Sequence, residues 1–263
     1  MLKRLIMAAQ FLTIVPLPVR TDWAGVRMAT LTGVFPLVGL LLGLVAAGCA
    51  VALSHVFGVA LTTALVMLVL TASNGGLHLD GLADTFDAIA TRGDRERKLR
   101  SMKDSAVGPM GVIAIVFALG IKFLVLVELA TVSWAAYLGA MMLMLTASRW
   151  AMVASMYHGV SARPEGIGHA FIEGMSGRHM LEATAIAIVS LIAPALMFDQ
   201  LRTVAWHAGL TVAMLMTYAL VRIMTSFTRN SFGGHTGDTL GVASELAEVI
   251  FLITVLTWQR LYI

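Results

Sequence analysis

Apolar positions in this chain fall into long blocks separated by short polar stretches, and those blocks set the expected architecture. Blocks near 33–53, 58–73, 109–130, 134–155, 181–198, 204–223 and 245–262 each approach the roughly 20 residues a helix needs to cross a hydrocarbon layer. The two at 58–73 and 181–198 are short, so they are expected to tilt little or to sit partly at the interface. The pattern predicts an all-α, polytopic transmembrane bundle of about seven spans, forming one integral membrane domain over 1–263. The polar connections are left to carry any chemistry. Ahead of the first block, Lys3 and Arg4 precede an apolar run that stops at Pro16 and Pro18. It lacks a small-x-small cleavage signal and reads as a retained interfacial or re-entrant helix.

Composition sharpens this picture. With 59% hydrophobic and 13% charged residues, and a mean hydropathy of +0.87, the chain is too apolar for a soluble domain. A single Cys49 excludes an internal disulfide and a thiolate zinc site. A net charge of +3 would suggest nucleic acid in a soluble protein, but here its distribution argues otherwise. Arg92, Arg95, Arg97, Lys98, Arg100 and Lys103 lie in the 74–108 connection. Arg163 and Arg178 lie in 156–180, Arg229 in 224–244, and Lys3, Arg4, Arg20 and Arg27 before the first span. The opposite connections, 54–57, 131–133 and 199–203, contribute only Arg202. That asymmetry puts the first set in the cytoplasm, together with every polar, glycine-rich segment, and leaves no role for a nucleic-acid partner.

Within the spans, Gly39-Leu-Leu-Leu-Gly43 allows close helix approach, inside one subunit or between two, and the oligomeric state stays open. Trp134, Trp150, Trp206 and Trp258 fall near span ends, as interfacial anchors do. Glu128 and Arg222 lie close enough to span ends to be interface residues. Lys122 and Arg149 are deeper, and need either partners or a wet cavity.

The longest charged interruption carries the strongest chemical signal, His78-x-Asp80-Gly81-x-Ala83-Asp84-x-x-Asp87. Spacings of four and three put the three carboxylates within roughly a 60° arc of one helix face. Such anions repel unless a cation sits between them, and hard oxygen ligands select Mg²⁺, with Mn²⁺ possible. The face carries no basic residue until Arg92, which argues against an ordinary solvated face laced with ion pairs. A short basic helix follows, with Asp94 as its N-cap and Asp104 at its end as a fourth acid. That helix suits either a cationic rim for a phosphorylated substrate or an anionic membrane surface. In the loop from Glu165 to Arg178, glycine-rich backbone and Arg178 are arranged to grip phosphate, unless the loop is an ordinary one. His158, His169 and His179 lack a metal-binding spacing. In Phe232-Gly-Gly-His-Thr-Gly-Asp238-Thr-Leu-Gly241, which is not a Walker A loop, Asp238 reads as metal ligand or general base rather than cap. Glu245, seven residues on, shares its face if the last helix begins early.

Three motifs in this order resemble the cobalamin synthase family: Gly75-Gly-x-His-x-Asp-Gly-Leu-Ala-Asp-x-x-Asp87, Met102-Lys-Asp-Ser105 with Gly108 and Gly111, and Gly233-Gly-x-Thr-Gly-Asp-Thr-Leu-Gly241 with Glu245 and Glu248. The resemblance runs through essentially the whole chain. It implies a multi-pass inner-membrane transferase that needs Mg²⁺ and joins adenosylcobinamide-GDP to α-ribazole or its 5′-phosphate, releasing GMP. It implies that Asp80, Asp84, Asp87, Asp104 and Asp238 hold metal or act as base, and that Lys103, Arg178 and His78 bind substrate. Two positions depart from the family pattern, Asn74 where threonine is common and Pro109-Met110 after Gly108; neither touches a carboxylate. Two other readings are weighed beside it. A CDP-alcohol phosphatidyltransferase of lipid synthesis needs Asp-x-x-Asp-Gly-x-x-Ala-Arg, but Leu77 stands where the first acid belongs and Asp84-Thr85 replaces Ala-Arg. A cation-coupled transporter needs its carboxylates near the bilayer midplane, whereas these follow a span.

Overall fold

The computed structural model describes residues 1–17, 19, 21–104 and 106–262. Thirteen α-helices follow one another among these residues: α1 (Leu2–Leu12), α2 (Ala29–Thr32), α3 (Phe35–Ser54), α4 (Val59–Ser73), α5 (Leu77–Ala90), α6 (Arg95–Ser101), α7 (Pro109–Val132), α8 (Trp134–His158), α9 (Ile167–Ile172), α10 (Gly177–Ser190), α11 (Ala193–Met197), α12 (Val204–Phe232) and α13 (Gly237–Tyr262). Six segments are long and apolar enough to cross a membrane: α3, α7, α8, α10 continued by α11, α12 and α13. A seventh is available if α4 and α5 are taken as one broken span, bent by 85°. The expected polytopic helical bundle is therefore what the chain forms.

At the centre stands α8, enclosed by α3, α7, α10, α12 and α13. Its run of Ala, Gly, Met and Leu gives a thin rod that neighbours can surround on all sides, and almost every residue from Ala135 to Met156 is buried. The Gly39/Gly43 pair serves this packing: a methyl group at either position would overlap the Leu145 or Met142 carbonyl of α8. The close approach is thus used within the chain. Trp150 and Trp206, expected at the interface, are instead interior, 6% and 2% exposed. Trp150 donates its indole N–H to Thr184 at 3.0 Å, which compensates the buried polar edge.

Two further corrections concern boundaries. The last span begins at Gly237 rather than near 245, and α12 continues to Phe232, so the expected 224–244 connection shrinks to four residues. An Asp in the first turn of a helix interacts favourably with the helix dipole, so Asp238 is compatible with an early start. The 58–73 block is short because Gly75 and Gly76, with φ of 62° and 72°, end α4 and redirect the chain into α5. Helix α1, the expected interfacial segment, packs on α2 and α3, and Arg4 grips Glu182 of α10 through two hydrogen bonds of 2.9 and 2.7 Å.

Inside the bundle the deep charges found partners. Lys122 donates to Glu245 at 2.7 Å and to Glu248 at 2.8 Å. Arg149 lies 3.9 Å from Glu248 and donates to Ser148 and Ser244 at 2.9 and 2.6 Å. Two cations face two anions, which is how a low-dielectric interior tolerates such groups.

Candidate active site

Helix α5 packs on the N-terminal turns of α7 and α13, at one end of the bundle, and is not itself one of the six segments long and apolar enough to cross a membrane. Two close approaches fix it there. A side chain on Gly81 would strike the backbone of Asp238, with its Cα only 2.9 Å from the added carbon, and one on Gly241 would meet the His78 carbonyl at 3.0 Å. Small residues at the crossing therefore bring Asp80 and Asp84 beside Asp238. A second lock comes from Asp87, whose two carboxylate oxygens accept the N–H groups of Gly108 and Gly111 at 2.7 and 2.9 Å. Asp87 thus caps α7 from outside, satisfying donors that the helix start cannot pair itself.

A third lock closes the site from above. The 160–162 segment pairs with His235, Ala162 donating to the His235 carbonyl at 2.8 Å and His235 to the Val160 carbonyl at 2.7 Å. Arg95 donates to the Ala162 carbonyl at 2.8 Å and Arg163 to the Leu99 carbonyl at 2.8 Å. Helix α6, whose N-cap is Asp94 as expected, is bound in this way to a loop more than sixty residues later. Buried His235 is held by Thr239 and Thr225, and burial pushes its imidazole down to about 4, so it is neutral at physiological pH.

The electrostatics record which charges have met. Asp84 is pushed up to about 6 by burial and then by the neighbouring charges of Asp80, Asp238 and Asp87, with Arg163 opposing. Four of the five sequence-predicted acids therefore share one field. Asp104 is not among them: it is exposed after α6 and accepts the N–H of Ala106 at 3.1 Å. Lys103 lines an open groove with Arg100, Arg163 and Glu165. Arg178 is exposed in the first turn of α10, a helix packed on α2, α3 and α8 rather than on α5. His78 lies inward from the acids, almost fully buried, and burial followed by Arg149 and Lys122 holds it well below the usual imidazole range.

Sequence reasoning counted Arg163 only as a positive charge in a loop, yet it is the cation that stands against the acids. Nothing in Ala162-Arg163-Pro164 announces this, because the pairing with His235 that positions it is made by backbone groups. Glu165, beside it, lines both the groove and a partly open cavity that also reaches Asp80 and Asp238.

A family model described as cobalamin-5-phosphate synthase matches residues 4–256. The chain belongs to the cobalamin-5-phosphate synthase family. Relatives named adenosylcobinamide-GDP ribazoletransferase include one from Citrobacter koseri, 38% identical over 84% of this chain and 85% of the relative. One from Escherichia coli is 36% identical over 94% of this chain and 96% of its own length. No solved structure matches the chain. The chain is accordingly a transferase, and family membership sets aside the lipid-transferase and transporter readings. The position of the acids agrees, since they lie against the first turns of α7 and α13 and not midway along them.

Proposed function

We propose that this chain transfers the adenosylcobinamide-phosphate moiety of adenosylcobinamide-GDP to α-ribazole or α-ribazole 5′-phosphate, releasing GMP, with Mg²⁺ or Mn²⁺ required. The supporting observation is the junction of α5 with α13, where acids from motifs about 150 residues apart share one field with Arg163. In the reaction a ribose hydroxyl oxygen attacks the phosphorus bonded to cobinamide, the bond from that phosphorus to the bridging oxygen of GMP breaks, and GMP leaves. Such transfers ask the protein mainly for positioning and charge neutralisation.

The donor set was tested for its fit to a divalent cation. Among the described residues no three His, Cys, Asp or Glu side chains are drawn together tightly enough to hold an ion alone. Mg²⁺ seldom asks for that, because it is commonly held by one or two carboxylates, water and the phosphates of its substrate. Asp80, Asp84 and Asp238 are all oxygen donors, and Asp84 is raised first by burial and then by the charges of its neighbours, a repulsion that a cation would relieve. The residues fit, with Asp80 and Asp84 as the first holders, Asp238 beside them, and Asp87 contributing whatever its capping role leaves free. A bound Mg²⁺ would neutralise the pyrophosphate and steady the leaving oxygen.

The chain's own groups supply the rest. Asp238, held by the Thr236 hydroxyl at 3.2 Å, is oriented to accept the proton of the attacking hydroxyl. Arg163 faces the acids and is placed to bind phosphate oxygens, with Arg100 and Lys103 continuing the positive surface outward. Asp104 and Arg178 have no part in this arrangement as the chain is folded; they would join it only if the loop after α6 or the start of α10 moved on binding. The charge asymmetry of the connections supports an inner-membrane enzyme with this end in the cytoplasm.

The test is direct. Protein in lipid nanodiscs, given adenosylcobinamide-GDP, α-ribazole and Mg²⁺, is expected to release GMP and yield a corrinoid product carrying the ribazole mass. A chelator should stop both. GMP release that does not depend on ribazole would mark a hydrolase and refute the proposal.

A further inference from the structure

Three recesses open around the acids, and their walls differ in chemistry. The first is a cavity of about 240 Å³ reaching Asp80 and Asp238, walled by Met152, Met156, Phe171 and Leu240, all of them buried. The second, about 770 Å³ and more open, runs from Asp80 past Gly76 to Ile14 and Val107 on the outer surface. The third, about 560 Å³, is the groove between α6 and residues 163–166, where Arg100, Lys103 and Arg163 face outward beside Glu96 and Glu165. Asp80 is shared by the first two and Arg163 by the first and third.

One side chain singles out the first cavity. His78 lines it, is 1% exposed, and has no hydrogen-bond partner for either ring nitrogen among the described residues. A buried imidazole with both nitrogens unsatisfied is costly to keep, and its position in the wall of a concave apolar site points to a ligand atom that completes it. Of the other histidines and carboxylates at its edge, His235 is already held by two threonines, Glu165 stands exposed at the rim, and His169 lacks a partner only at Nδ1, its Nε2 meeting Glu173 at 3.0 Å.

We propose that this cavity holds the acceptor nucleoside, with its base against Met152, Met156 and Phe171 and one of its polar atoms bonded to His78. The assignment rests on the transfer reaction proposed above and goes on to sort its substrates by chemistry. A flat base with few hydrogen-bonding atoms suits walls of methionine and phenylalanine. A guanine edge and a diphosphate require several polar partners and cations, which the open groove supplies and this cavity lacks. A corrinoid is several times too bulky for 240 Å³, whereas the second recess is open to its periphery. With the base inside, the ribose is left at the mouth, where Asp80 and Asp238 border the same space.

The experiment uses the full chain in nanodiscs, with α-ribazole and adenosylcobinamide-GDP titrated separately by calorimetry, so that binding is read without turnover. His78→Phe keeps a planar ring and removes both nitrogens. Ile167→Trp places an indole at the cavity rim from a position that is 63% exposed, so it is compatible with folding. His78→Phe should raise the Kd for α-ribazole about 3- to 12-fold, the value of one hydrogen bond, and leave that for adenosylcobinamide-GDP unchanged. Its melting temperature without ligand should not fall, because no partner within the protein is lost; a histidine with a purely structural role would show the opposite. Ile167→Trp should weaken ribazole binding more strongly, with the donor again unaffected. Unchanged ribazole affinity in both variants, or a loss confined to the donor, overturns the assignment. Failure of the wild-type protein to transfer at all, with ribazole still bound through His78, would instead refute the reaction.

Discussion

Removing the ammonium of Lys122 tests whether the buried charges hold the bundle together. Lys122 bonds Glu245 and Glu248 at 2.7 and 2.8 Å, and all three side chains are buried. In Lys122→Met the two carboxylates would be left with Arg149 alone, at 3.9 Å from one of them. Breaking a buried pair by deleting one partner costs about 3–5 kcal/mol, because the survivor is stranded in low dielectric. At roughly 2–4 °C per kcal/mol for a chain of this size, melting should fall by about 6–20 °C. The control is Lys122→Met with Glu245→Gln, which restores one anion to one cation. Neutralising the stranded acid should recover most of the loss, although each single change removes a hydrogen-bonded group. The assay is thermal unfolding in one fixed detergent or lipid, followed by monodispersity on size exclusion. Melting of Lys122→Met within about 1 °C of the wild type, or a double variant no more stable than the single one, would refute the idea that charge balance holds these helices.

At the catalytic end, Asp80→Asn and Asp84→Asn are each expected to abolish GMP release while the protein still elutes as a folded species; wild-type rates in both would remove the metal site. The raised Asp84 also makes a prediction about pH. Its folded pKa lies above its unfolded value, so its own contribution to stability without metal is fully present below pH 3.8 and is lost as pH rises through about 6. Asp84→Asn should flatten that part of a melting-against-pH curve, and Mg²⁺ should stabilise the wild type more than the variant above pH 6. Asp87→Ala should cost about 0.5–2 kcal/mol through the lost cap on α7, read by denaturant or thermal melting. Gly43→Val forces a side chain into the Met142 carbonyl and should lower stability by about 1–3 kcal/mol or more, whereas Gly48→Val, which meets nothing, should not.

Long apolar blocks made the bundle legible, since backbone groups in lipid must be paired internally and only a helix does so within one segment. The acids of α5 were legible for a related reason: their spacing on one face cannot be explained by apolar packing. What the pattern could not give was partnership. Lys122 and Arg149 read as equally suited to a wet cavity, because their partners Glu245 and Glu248 lie about a hundred residues or more away. The tryptophans misled because a position near a span end does not say whether the ring faces lipid or the core. Arg163 was passed over for Arg178, which had the glycine-rich setting, because position in space is set by a pairing of main-chain groups that any sequence could make.

The glycines connect these two levels. A motif such as His78-x-Asp80-Gly81 looks like a ligand sequence, but Gly81 serves the crossing with Asp238, and Gly241 answers it from the other helix. Asp87 likewise has both oxygens engaged by the start of α7, so part of the acidic motif builds the site, and only the rest is left for the role proposed above. The density of Gly and Asp in the two motifs then has one physical cause. Carboxylates can be gathered from distant segments only if the backbones carrying them come nearly into contact, and the repulsion that gathering creates is answered by main-chain donors, by Arg163 and, in the proposed function, by a cation. A substitution that widened the α5–α13 crossing without touching a carboxylate should therefore weaken Mg²⁺ binding as removing one acid would, and Gly81→Val is the variant that asks it. Loss of transfer with a folded protein and a raised Mg²⁺ requirement is the expected result; wild-type Mg²⁺ dependence would mean that the acids do not need this crossing to act together.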